Sequence, residues 1–420
     1  MNSHKINIYS SFQSNRLSYV LDFIFGQFFN ARYELVQNHN TDQPIHVLYD
    51  EHNNSIQGSI FVKNSGFLHS KSRKLEEKYL QVHGMDFDLF SFVFFMLARV
   101  EEYQQVRTDA YDRCSARDSF LYSLNLLEKP ILDQLLLKFA EGIKSTFNIS
   151  LHRKSCFELI HTVDVDQIYA YKAKASRRLW GGFMKDLLAL KFKRCRDRWK
   201  VSKGAVDPYD TFTEISDQSR GFKSFYFFLM AHDGGPDNAL NPNLEIIQNK
   251  IRDIDPKTTK GIHPGITSNQ SINILEKEIR QLGVILNQKI NHSRQHFLKL
   301  EIPKTYHNLL STDISDDHSM GYHDHVGFRA GTTENFYWYD LENEQQTNLL
   351  IHPLMAMDVS LKKYMNLSPA DAKIKLFELA DACREVQGPF CILWHNSSFY
   401  EEEGWKGWKH VYEELLNFCR

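Results

Sequence analysis

The sequence predicts an α/β protein: a mainly parallel sheet, closed or nearly closed into a barrel, preceded by a smaller α+β part. Three observations carry this. From residue 155 onwards short apolar runs alternate with amphipathic helical stretches, the pattern of βα units. Before residue 150 the patterning is mixed, with strand-like and helix-like stretches in no regular alternation. And 420 residues exceed one ordinary domain, so a division near residue 150 gives parts 1–150 and 151–420.

In the first part KINIYS and HVLYD read as strands and SIQGSIFVKNSGFLHS as a hairpin. DLFSFVFFMLARVEEYQQ places Phe and Leu at helical spacing, a core helix whose Arg99, Glu101, Glu102 and Tyr103 form a solvated end. In the second part the apolar runs are CFELIHTVDVD, FKSFYFFLMAHD, TKGIHPG, GVILNQKINHSRQHF, TNLLIHPLMAMD and PFCILWHNSSF. Helical stretches such as NLEIIQNKIRDI and SINILEKEIRQLG separate them. In SPADAKIKLFELADACREV, Ser368 is the N-cap, Pro369 the first helical residue and Asp371 completes a capping box.

Composition narrows the function classes. A 42% hydrophobic and 24% charged chain has a real core and is not a disordered one. Fifty basic against 52 acidic residues leave a net charge of −2, so there is no basic field for unspecific nucleic-acid binding. No 18-residue apolar run or secretory leader is visible, and the six cysteines are scattered without a CxxC pair. Reduced, mostly buried thiols in a cytoplasmic protein are expected.

The apolar runs share a feature that points to an enzyme. Each tends to end in a chemically capable side chain: Asp164 and Asp166, His232 and Asp233, His263, Arg294 and His296, Asp358, His395. Sites of βα barrels are built at the C-terminal ends of the strands, where the loops converge. One polar residue after a strand is ordinary loop chemistry; a succession rich in His and Asp is not. Asp164 and Asp166, two apart at a strand end, point the same way. They can be turn carboxylates, or a pair sharing one cation, one ligating and the other free as a base. His263, before the Pro264–Gly265 turn, suits a second ligand in the same rim.

These motifs resemble the polysaccharide deacetylase superfamily (NodB-like, carbohydrate esterase family 4), in a two-domain branch found among Bacteroidetes. HTVDVD, GIHPGITS, SRQHF, LLSTDISDDHSMGY and PFCILWHN carry the resemblance over residues 155–420. HGMDFDLFSFVFFMLARVEEYQQ and the YDR of DAYDRC resemble the companion part. The resemblance implies a distorted (β/α)7 barrel and metal-dependent removal of acetyl groups from sugars. It implies Asp164 as base, Asp166 and His263 as ligands, Arg294 orienting the base and His395 as acid. The family's second ligating histidine is replaced by Thr267, and His296, where the family has proline, is the candidate substitute. Asp316 or Asp317 is expected near the site, Asp317 touching substrate. Leu393 is expected as a pocket wall for the acetyl methyl, with Trp394 beside it. The implied cation is zinc, with cobalt or nickel as substitutes.

Arg329 in HVGFRAGT is a fork for a substrate carboxylate or phosphate, or an ion pair closing the rim. YHDH (Tyr322 to His325) reads as a solvated loop. Residues 172–203 hold twelve Lys or Arg against Asp186 and Asp197, with Trp180 and Trp199 towards the ends. That is a basic amphipathic insertion, packed on the barrel or lying at the inner membrane face. The expected activity is deacetylation of an acetylated amino sugar or oligosaccharide, a surface-polysaccharide precursor, lipid-linked if the insertion meets membrane. No nucleic-acid partner is expected. The alternatives are a catalytically silent glycan-binding protein and an enzyme cleaving another C–N bond.

Overall fold

The computed structural model of the chain describes residues 5–37, 44–51, 58–72, 87–104, 107–231 and 236–420. His232 and Asp233 lie outside the described residues.

The N-terminal sheet has four strands, β1 (Lys5–Ser10), β2 (Arg32–Val36), β3 (Val47–Asp50) and β4 (Ile60–Lys63), in the order β2-β1-β3-β4. All its pairings are parallel, with Val47 opposite Ile60 between β3 and β4. The expected hairpin is therefore not formed by its described residues: Ile60–Lys63 join β3, not a neighbour across a turn. Alternation marks a strand but does not choose its partner, and here the choice is long-range. The apolar helix runs Leu89–Leu97, all nine residues buried, started by Asp88, whose carboxylate accepts from the Ser91 N–H. A helix apolar all round belongs inside. Its end corrects the expectation of a solvated terminus: Arg99, at φ 51°, is completely buried.

The larger sheet has nine strands. In chain order they are β5 (Leu159–Val165), β6 (Lys223–Leu229), β7 (Thr259–His263), β8 (His292–Ser293), β9 (Asp316–Met320), β10 (Phe336–Asp340), β11 (Gln345–Pro353), β12 (Ala356–Met357) and β13 (Phe390–His395). Their order is β10-β11-β9-β8-β7-β6-β5-β13-β12, parallel except for the antiparallel β10–β11 pair. The barrel is open: β10 and β12 are edges among the described residues.

Alternation along β5 separates two environments. His161 points outward, its Nε2 2.9 Å from the Tyr412 hydroxyl on helix Trp408–Cys419, while Asp164 lies on the opposite, inner face. Register carries that inner face across the sheet through Asp164↔Phe227, Phe227↔Gly261 and Leu229↔His263. Gly261 is required there: a Cβ would sit 2.7 Å from both the His292 carbonyl oxygen and the Phe227 ring. The capping box forms as expected, Ser368 Oγ accepting from the Asp371 N–H and donating to its carboxylate.

The basic stretch is not one helix but two, Ser176–Leu188 and Phe192–Ser202, reversed at Leu190 with φ 55°. Arg194 and Arg198 close the pair onto Asp186 at 3.3 and 2.9 Å. Trp180, Leu188, Leu190, Phe192 and Trp199 stay exposed. No described helix is long and apolar enough to cross a membrane. The six thiols are free, but only Cys383, Cys391 and Cys419 are buried, fewer than expected.

Candidate functional site

Six of the expected residues meet at the C-terminal ends of β5, β7, β8 and β13. Asp166 Oδ1 lies 3.3 Å from His263 Nε2 and 3.6 Å from His296 Nε2, and these three groups could together hold a metal ion. Asp164 Oδ2 is 3.6 Å from His263 Nε2, and its Oδ1 is 3.7 Å from Arg294 Nη1. His395 Nε2 stands 3.9 Å from Asp166 Oδ2. Thr267 lies at the start of a short helical turn, Ser268–Gln270.

Each imidazole is aimed by a partner behind it. His263 Nδ1 is 2.6 Å from the Arg294 carbonyl oxygen, which takes its N–H and turns the Nε2 lone pair inward. His296 Nδ1 is 2.7 Å from Asp237 Oδ1, and the same oxygen accepts from the Ile266 N–H. His395 Nδ1 is 2.8 Å from Asp358 Oδ1; the other oxygen of Asp358 accepts from the His395 N–H and the Ser398 hydroxyl. Asp237 escaped the sequence reading, because nothing local ties it to a histidine 59 residues away. Asp358 was visible as a residue closing an apolar run, though not as the orienter of His395.

The electrostatics follow from burial against charge. Burial opposes charge on Asp166, but His296 beside it holds the carboxyl well below its ordinary range. Burial likewise opposes charge on His296, and Asp166 and Asp237 overcome it, raising the imidazole to about 9. For His395 burial is outweighed by Asp358, which raises it to about 10.

The cluster fits a cation. Asp164 Oδ1, Asp166 Oδ1 and His263 Nε2 are buried without a hydrogen-bond partner, as are all three guanidinium nitrogens of Arg294. Buried polar atoms are rarely left so, and a positive ion among the first three would satisfy them. Two imidazoles and a carboxylate are the donor set of zinc, cobalt or nickel rather than of magnesium or calcium. The cleft above is lined by Met357, Tyr364, Trp405 and, from the N-terminal part, Arg113. Arg113 is held by Asp109 at 2.6 Å and donates to the Phe297 carbonyl at 2.8 Å. It belongs to the DAYDRC segment, which the sequence reading used for the companion part and gave no place in the site.

Five residues expected at or near the substrate are placed elsewhere. Arg329 is buried and paired through both ends of its fork with Glu102, at 2.9 and 2.6 Å, so it is spent on the N-terminal part. Asp317 faces away from the cleft, accepting from the Ser319 N–H and hydroxyl, and burial raises it to about 6. Asp316 is drawn to His352 at 2.8 Å. Trp394 alternates with His395 and points outward, packing on Trp408 and Tyr412. Leu393 shares the face of His395 but is sealed, 1% exposed, and does not line the cleft. The YHDH segment is no solvated loop: Tyr322 and His323 are buried, and Asp324 accepts from Ser115 Oγ and the Ala116 N–H.

Comparison with known proteins adds little beyond this geometry. Residues 6–148 match a family of unknown function, DUF7033. The chain matches none of the curated proteins. Among solved structures it is similar to a Mycobacterium smegmatis protein, itself only a candidate polysaccharide deacetylase. That likeness has a TM-score of 0.39 and 12% identity, over 63% of this chain and 83% of that one.

Proposed function

We propose that the chain is a metal-dependent hydrolase that removes an acetyl group from an acetylated amino sugar. The observation that supports this best is the juxtaposition of an Asp166–His263–His296 donor set with an unspent carboxylate, Asp164, and an imidazole backed by Asp358, His395. A divalent cation held by Asp166, His263 and His296 would supply Lewis acidity towards the acyl oxygen and acidify an attacking water.

The chain's own groups do the rest. Asp164, 3.7 Å from Arg294, accepts the proton from the attacking water. His395 stays protonated at neutral pH because Asp358 backs it, and donates to the departing nitrogen. Without that proton an amide nitrogen is too poor a leaving group. His296 takes the ligand place that Thr267 vacates, and Asp237 fixes the ring that does so. The substrate is read as a surface-polysaccharide precursor. The exposed Trp180, Leu188, Leu190, Phe192 and Trp199 among basic residues suit a lipid-linked one, met at an anionic membrane surface.

The test is acetate release from an N-acetylated chito-oligosaccharide by zinc-loaded full-length protein, beside Asp164→Asn. Release that disappears in the variant is expected. Tight sugar binding with no release in either protein would favour the silent glycan-binding alternative. Full-length protein should also sediment with phosphatidylserine vesicles at low salt, and failure to do so removes the membrane element.

A further inference from the structure

The chain that carries His296 is bent where few side chains would bend it. Phe297 and Leu298, which follow it, both lie in the left-handed region, at φ 60° and 52°. Successive bulky residues take that conformation only where their surroundings impose it. Burial of the phenyl ring does not impose it, because Phe297 is 37% exposed. The bend matters to the cleft: with it, the Phe297 ring lies stacked on the His296 imidazole at 3.8 Å and 26°.

The restraint comes from the N-terminal part. Thr108 and Cys114 pair antiparallel and close a loop over residues 109–113. Asp109 organises it: Oδ1 accepts from the Tyr111 and Arg113 N–H groups at 2.9 and 3.1 Å. Its Oδ2 accepts from Arg113 Nε and Nη2 at 2.9 and 2.6 Å, and Nη2 also donates to the Tyr364 hydroxyl. A guanidinium is planar, so this fork fixes the direction of Nη1, which donates to the Phe297 carbonyl at 2.8 Å. Two further contacts grip the same bend. Asp112 accepts from the buried Lys299 ammonium at 2.9 Å, and the Tyr111 ring stacks on Phe297 at 5.3 Å and 20°. Phe297 and Lys299 are thus both held, with Leu298 between them.

We propose that Arg113 is a positioning residue for the cleft: it fixes the bend at 297–298 and so holds His296 Nε2 3.6 Å from Asp166 Oδ1. Asp237 restrains the ring at Nδ1, and Arg113 restrains the backbone that carries it. The barrel's donor set is complete only with a side chain from the N-terminal part. Its bearing on metal rests on the reading of His296 as a ligand; the restraint itself does not.

The test is cobalt(II) binding to metal-free full-length protein, wild type beside Arg113→Ala, read by visible absorption, chelator competition and thermal melting. Arg113→Ala should bind about 10–100-fold more weakly, the range for a lost outer-shell partner, with an altered absorption band. A variant that melts lower but keeps wild-type affinity and spectrum overturns the proposal and leaves Arg113 a link between the two parts of the fold. Should Arg113→Ala fail to fold, Tyr111→Ala, at a 41% exposed position, decides. There a weakening of about 2–10-fold is expected from the lost ring contact, and unchanged affinity and spectrum overturn the proposal. Wild type that binds no cobalt overturns the cleft's metal instead. Crystals of metal-free Arg113→Ala then decide the restraint: Phe297 should leave φ 60°, and an unchanged bend overturns it.

Discussion

Two buried arginines of the larger sheet's region show how similar side chains come to opposite uses. Arg329 sits in a complete network. Both ends of its fork meet Glu102, its Nη1 donates to the Gly321 carbonyl, and Arg99 shares Glu102 at 2.9 Å. Glu102 is held down to about 2 by these arginines against its burial. Arg294 is equally buried yet makes no side-chain hydrogen bond; it stands 3.7 Å from Asp164 and 4.9 Å from the Phe227 ring. A satisfied buried charge holds a fold together. An unsatisfied one implies something still to arrive. Residue type does not separate the two arginines; what surrounds them does.

The comparison can be broken by removing one member from each side. The largest effect is expected on the unsatisfied side. Asp164→Asn should lower acetate release by roughly 10³-fold, within the range of a lost general base, with little change in unfolding free energy. A variant that keeps activity, or loses several kcal/mol of stability, would put Asp164 among the structural charges. On the satisfied side, Glu102→Ala leaves the buried Arg329 without its carboxylate, while Arg99 keeps Glu101 at 2.5 Å, and should cost about 3–5 kcal/mol in denaturant unfolding. Zinc bound per folded molecule should not change.

Smaller effects sharpen the boundary between the two kinds of group. Asp237→Ala frees the His296 ring and should weaken zinc binding at the cleft by about 10–100-fold, measured by chelator competition. His161, on the outer face, is held neutral, its imidazole lowered by burial to about 3. Its contribution is present above the unfolded value of 6.5 and is lost as pH falls towards 3. By pH 5 the loss is about 2 kcal/mol, and His161→Phe should flatten the acid limb of the stability curve by that amount.

Local pattern carried much of this architecture and the residues of the cleft. Capable side chains closing successive apolar runs do gather at the strand ends, because parallel βα connections bring those ends to one side. Alternation also held information left unread: in PFCILWHN it puts Trp394 opposite His395, so the tryptophan belongs to the helix layer. Long-range partners were not legible. Glu102 and Arg329 meet across 227 residues, and Asp237 and His296 across 59. The parallel pairing of β4 is likewise a choice between distant strands. The reversal at Leu190 has neither glycine nor proline to announce it.

The central claim, that His296 completes the cleft's donor set in place of Thr267, is tested most directly by zinc content. Full-length wild type, Asp166→Ala, His263→Ala and His296→Ala would be compared after purification without chelator. The account predicts that each variant holds about one equivalent less than wild type while remaining folded. His296→Ala with the same zinc as wild type, beside losses in the other two, would contradict it.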